Sequence, residues 1–258
     1  MDNPRPNPAL QAGALTDKAD LAALARGGRT NFFGFLLRLA ARFPFLFIAG
    51  RMYGLDALGR FAYAVIVIEF FAIIATMGLK RGLAQQLATS DRGPACDVWD
   101  AMLISLLASL LAAGVLVAVP QAMFPNSELN QLDRLLPLII VAVAATDIAL
   151  SALAYRLDLG AAVRARSVVE PWVLAITAFA LAWVTTRDGL IIAYALSMVA
   201  ALVAAMVPLI RSYGLPPSDW RPKPRPIWNL ARRNAPLAAA DTIEWASRRI
   251  DIAVLGLF

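Results

Sequence analysis

Apolar stretches bounded by charge or by Pro and Gly recur along the chain, at Thr30 to Gly50, Ala62 to Leu79, Trp99 to Val119, Leu135 to Ala154, Val169 to Thr185 and Leu190 to Ile210. A seventh begins near Pro236. Each approaches the roughly 20 mostly apolar residues that cross a bilayer. Open strands cannot satisfy their backbone in lipid, so every stretch reads as a helix. The pattern predicts an all-α polytopic membrane bundle of six transmembrane helices plus an incomplete seventh. Pro171 and Pro236 fall where a first helical turn tolerates a missing donor, and Pro120 follows a helix end.

Polar segments divide the chain into four parts. Residues 1–29 form a cytoplasmic tail with Pro4, Pro6 and Pro8 and no apolar core of signal-peptide length. Within it Leu15 to Arg26 suits a short interfacial helix or, equally, a frayed tail. Residues 30–210 make a six-helix transmembrane lobe. Residues 211–236 make a basic linker in which Pro216, Pro217, Pro222, Pro224 and Pro226 favour an extended spacer, with Arg221, Lys223 and Arg225 beside Trp220 and Trp228 suiting either contact with anionic headgroups or, more simply, positive-inside charge alone. Residues 237–258 open a second lobe. That last stretch stops at Phe258 inside a span, so the sequence reads as a fragment or a truncated product. A weak internal symmetry agrees, since Arg42 to Gly50 and Arg248 to Gly256 each run from Arg to Gly in parallel halves.

Composition sharpens this reading. The chain is 60% hydrophobic and 16% charged, against about 45–50% and about 25% for soluble domains, so lipid is the solvent. The net charge of +6 does not indicate nucleic acid, because the basic residues sit in short loops and not on a solvated patch. With no His and the single Cys96, disulfide frameworks and Cys/His metal sites are excluded by counting, while a carboxylate site for a hard cation stays open. No cofactor is implied. Lys and Arg number sixteen in one set of alternate loops and four in the other, which places the amino terminus in the cytoplasm.

Gly54-Leu-Asp-Ala-Leu-Gly59-Arg-Phe-Ala after the first span and Gly78-Leu79-Lys-Arg81-Gly-Leu-Ala-Gln-Gln-Leu-Ala88 after the second resemble the multidrug/oligosaccharidyl-lipid/polysaccharide flippase superfamily, in its polysaccharide exporter and O-antigen flippase branch. Arg248-Arg-Ile-Asp251-Ile-Ala-Val-Leu-Gly256 resembles the start of that family's second lobe. The resemblance implies a transporter of the bacterial cytoplasmic (inner) membrane that works by alternating access and is not an enzyme. Its implied partners are a polyprenyl-linked oligosaccharide, membrane lipids and polysaccharide-assembly proteins, with no nucleic acid.

Charges inside the spans are the candidate site, because each costs about 2.5–3.5 kcal/mol at mid-membrane and needs a partner or a wet cavity. Arg38 and Arg42 lie four apart on one face of the first helix. Arg38 can snorkel toward the cytoplasm, whereas Arg42 sits mid-span beside Pro44. Both suit the diphosphate of the lipid-linked sugar implied by the resemblance, and both also suit structural ion pairs. Glu69 and Asp147 are the embedded acids, either partners of Arg42 or carriers of a coupling ion. Structural pairing fits Asp147 better, with Thr146 beside it offering a hydrogen bond. Glu170 is explained by the helix dipole. Glu244, Arg248 and Asp251 can neutralise one another at four- and three-residue steps, or Arg248 and Arg249 can add to the cavity from the second lobe. Rival readings are a multidrug or small-molecule exporter of the same superfamily, a membrane glycosyltransferase or polymerase, and an assembly scaffold. The glycosyltransferase is disfavoured because the outward loop from Pro120 to Arg134 offers only Glu128 and Asp133.

Overall fold

A computed structural model describes residues 32–255 except 91, 126, 127, 219 and 223, and omits the side chains of 224–226 and 249–255. The expected helix at Leu15 to Arg26 lies outside the described residues, as do the side chains of Arg249 and Asp251. The described residues contain helices and no strand.

Helix α1 (Phe32–Tyr53) closes in a π-helical turn at Ala49–Tyr53. A single residue, Gly54 at φ 88°, joins it to α2 (Leu55–Ala75). That backbone is open to glycine because it has no Cβ. The turn at Thr76–Gly78 leads into α3 (Leu79–Thr89), then α4 (Pro94–Ala118). A short α5 (Gln131–Leu135) and a 3-10 turn precede α6 (Ile139–Tyr155). One continuous rod then comprises α7 (Leu159–Ala162), a π segment (Val163–Val169) and α8 (Glu170–Leu181). Helices α9 (Gly189–Tyr213) and α10 (Pro224–Leu255) complete the order.

Helix α6 is the hub, packed against α2, α3, α4 and α9. Apart from Asp147 it is apolar around most of its circumference, as befits a helix enclosed by others. The packing is inverted relative to a water-soluble bundle. Alanines at 41, 49, 64, 144, 149, 152, 193, 201 and 205 are fully buried, whereas Phe47, Leu111, Trp183 and Val184 are largely exposed. Small residues let helices approach closely, and large apolar residues face lipid. The protein is an all-α membrane helical bundle.

Among the described residues five helices are long and apolar enough to span: Phe32–Tyr53, Leu55–Thr89, Pro94–Ala118, Gln131–Tyr155 and Gly189–Tyr213. The expected fifth span corresponds to α8, only 12 residues long, whose rod carries Arg164, Arg166 and Glu170 upstream. The expected seventh corresponds to α10, interrupted by Arg232, Arg233, Asp241, Glu244 and Arg248. The linker also differs from expectation. The described residues between Gly214 and Pro222 are non-helical, and Pro236 lies inside α10 instead of at its first turn. Pro224 takes the first-turn position, where its missing N–H costs nothing.

Two aromatic hydroxyls tie the ends together. Tyr53 donates to the Ala178 carbonyl at 2.6 Å and lies over Gly189, where a Cβ would come within 2.5 Å of its hydroxyl. Tyr213 donates to the Ala152 carbonyl at 2.7 Å. At the Tyr53 end Arg60 pairs with the fully buried Asp133 at 2.5 Å and lies over the Phe124 ring. Asp133 also closes a capping box with Asn130 at the start of α5, so one carboxylate serves both a helix cap and an ion pair.

Candidate functional site

Arg38 and Arg42 lie on the exposed side of α1. Gly34, one turn before Arg38, approaches the π segment so closely that a Cβ there would meet Val163 Cγ1 at 2.7 Å. This approach brings Arg38 Nη2 to Ser167 Oγ, to which it donates at 3.1 Å. Arg38 therefore points to the α7–α8 rod, where snorkelling to the membrane surface was the simpler expectation. No described ion pair or side-chain hydrogen bond engages Arg42.

Asp147 on α6 is held by Arg166, which donates through Nη2, and by Lys80 Nζ at 3.4 Å. Arg166 also binds Glu170 at 2.8 Å. The pairing of Asp147 with Arg42 is thus corrected: Arg166 and Lys80 take that acid. Thr146 does not assist either, since its hydroxyl donates to the Ala142 carbonyl at 2.7 Å. Glu170, attributed to the helix dipole, is in addition an ion-pair partner. Glu69 is half-buried on α2 and is itself engaged.

The π segment explains how neighbouring residues serve two helices. Pro171 lacks the N–H that would bond the Ser167 carbonyl, and its ring crowds that carbonyl. A π turn just upstream absorbs the mismatch. Within it Arg166 reaches α6 while Ser167 reaches α1. The wall so formed joins Arg38, Ser167, Arg166, Asp147 and Lys80. Its acid Asp147 is met by Arg166 and Lys80, while Arg38 of α1 is engaged by the Ser167 hydroxyl. Guanidinium forks hold phosphate oxygens in bidentate fashion.

On α10, Glu244 pairs with Arg248 at 2.7 Å, as the spacing predicts, and also with Arg81 of α3. Arg81 binds Asp241 at 2.6 Å as well. Arg248 is strongly exposed and is spent on Glu244, so it does not join the α1 wall in this structure.

Arg166 and Lys80, loop charges by the pattern of apolar stretches, are the partners of Asp147. A signal did exist. Asp147 and Arg166 stand at similar distances on either side of the turn at Leu157 (φ 61°), so an antiparallel return brings them to one depth. A mid-span acid needs a cation at that depth.

No curated protein and no solved structure matches the chain. A family described as polysaccharide biosynthesis protein matches it over residues 48–258. That span takes in α2 to α10, the π segment and the ion pairs centred on Asp147, and on it the chain belongs to the polysaccharide biosynthesis protein family.

Proposed function

We propose that the protein is a flippase of the bacterial cytoplasmic membrane, carrying polyprenyl-diphosphate-linked oligosaccharide toward the outer face for O-antigen or other surface polysaccharide assembly. In this reading residues 30–210 form one transport lobe, α10 opens the next, and the amino terminus is cytoplasmic. The diphosphate is drawn to Arg42, with Arg38 beside it, while the polyprenyl tail stays in lipid. No bond in the substrate is made or broken.

One observation carries the assignment. Arg42 is a mid-span cation on an exposed face, no described ion pair engages it, and Asp147, one of the two embedded acids, is committed to Arg166 and Lys80. A charge kept at a cost of about 2.5–3.5 kcal/mol without a structural partner has its use in a ligand. Membership of a polysaccharide biosynthesis family supports a polysaccharide precursor as the substrate class, and a guanidinium suits the phosphate chemistry.

The test is transport of lipid-linked oligosaccharide in membrane vesicles by Arg42→Ala, normalised to folded protein. Folded yield should match the parent, because Asp147 keeps its own partners, while normalised transport falls about tenfold or more, the worth of a charge-assisted hydrogen bond. Arg42→Lys should retain part of the activity, since the point charge survives without the fork. Parental transport by Arg42→Ala overturns the assignment.

A further inference from the structure

At the end of the bundle where α4 begins, a cavity of about 200 Å³ lies between the α3–α4 turn and the first turns of α10. Asp97, Asp100 and Leu230 line its buried floor, and Arg92, Asn229 and Arg233 its exposed rim. Asp100 is satisfied: Arg92 Nη1 donates to it at 2.6 Å and the Trp220 indole at 2.9 Å. Burial works against the Arg92 charge, yet the Asp100 hydrogen bond and the nearby carboxylates outweigh it and raise its pKa further. Asp97 is different. It is only 2% exposed, and its Oδ2 is buried with no hydrogen-bond partner. Its place in the first turn of α4 favours a negative charge but supplies no donor to that oxygen. A buried carboxylate oxygen without a donor forfeits the hydration it had in water, so the site calls for an N–H group from outside.

The rim narrows the class of donor. A bare cation is repelled by Arg92 and Arg233, and a bare anion by Asp97. A zwitterion with an ammonium leading and a phosphate following meets both. The cavity opens near the end of a span, beside Trp220 and the strongly exposed Trp228, the aromatic setting of the lipid headgroup layer. We propose that this cavity is a binding site for a phosphoethanolamine zwitterion, as an aminophospholipid presents it. The ammonium donates to Asp97, and the phosphate rests between Arg233 and the free edge of Arg92. Phosphatidylcholine fails on both counts, since its trimethylammonium is bulkier and has no N–H. The site is independent of the transport reading and of which leaflet it faces.

The experiment is native mass spectrometry of the intact purified protein titrated separately with phosphatidylethanolamine, phosphatidylcholine and phosphatidylglycerol. Phosphatidylethanolamine should be retained about tenfold over the other two, the effect of one charge-assisted hydrogen bond. Asp97→Asn should reduce that preference to less than about twofold, and Arg233→Ala, at an exposed position, should weaken retention without loss of folded protein. Soluble phosphoethanolamine distinguishes the source. Displacement of the lipid shows that the zwitterion suffices, and failure to displace it while the Asp97-dependent preference persists shows that the acyl chains contribute; both sustain the site. Equal retention of the three lipids, or a preference untouched by Asp97→Asn, overturns it. So does stronger retention by Arg233→Ala, which would make Arg233 the partner of Asp97.

Discussion

At the scale of single residues the buried acids divide by what surrounds them. Asp147 sits between a guanidinium and an ammonium, so removing it strands Arg166 with Glu170 alone. Breaking a buried pair from one side costs about 3–5 kcal/mol, whereas replacing both partners by apolar groups of similar size is often neutral. Asp147→Ala should therefore lower folded yield and thermal stability in detergent. Asp147→Leu with Arg166→Met should recover most of the loss, and Asp147→Ala with Arg42→Ala should recover none. Recovery by the second pair instead of the first would return Arg42 to a structural role. Asp133 tests the opposite end. Asp133→Asn leaves an oxygen to accept from the Asn130 backbone N–H but removes the charge opposite Arg60. Its melting temperature should fall well below that of Asn130→Ala, which loses a helix cap worth about 1 kcal/mol.

Among elements, the junction of α3 with α10 is the most sharply specified. Gly78 has φ 71°, and a Cβ there would stand 2.5 Å from the Asn234 carbonyl and the Ala238 nitrogen. Backbone cannot swing aside as a side chain can. Gly78→Ala combines a left-handed penalty of roughly 1–2 kcal/mol with displacement of α10, and should break the Arg81 pairs to Asp241 and Glu244. Gly114→Ala, with nothing within 4 Å of its Cβ, is the control and should melt like the parent. Cysteine cross-linking between α3 and α10 in a Cys96→Ser background should be lost in the first variant and kept in the second. Efficient cross-linking in Gly78→Ala would show that α10 docks without this close approach.

For the whole molecule the open question is orientation. Lys80, Arg81 and Arg166 belong to ion pairs within the bundle, yet without them the Lys and Arg imbalance still favours the same side as cytoplasmic. An impermeant thiol reagent added outside intact cells should therefore label a cysteine at Ser127 and spare one at Ser218, again with Cys96→Ser. The reverse result would invert the topology, and with it the direction assigned to transport.

Much of the architecture is a property of the chain read in one dimension. Burial in lipid is set by the length and apolarity of each stretch, so the membrane class and the approximate positions of α1, α4, α6 and α9 follow from the pattern of apolar residues. The Glu244–Arg248 pair follows too, because a four-residue step fixes neighbours on one helix whatever surrounds it. Contacts between helices are another matter. That Arg166 and Lys80 claim Asp147, that Arg38 turns to Ser167, and that Asp97 is left with an oxygen unmet depend on which helices are adjacent and at what depth. Periodicity along a single helix carries no record of either. Nor does proline spacing reveal that α10 runs through Pro236, since packing of α10 against α2 and α3 outweighs one missing backbone hydrogen bond. Local sequence decided where most of the helices are, and their packing decided which charges pair with one another.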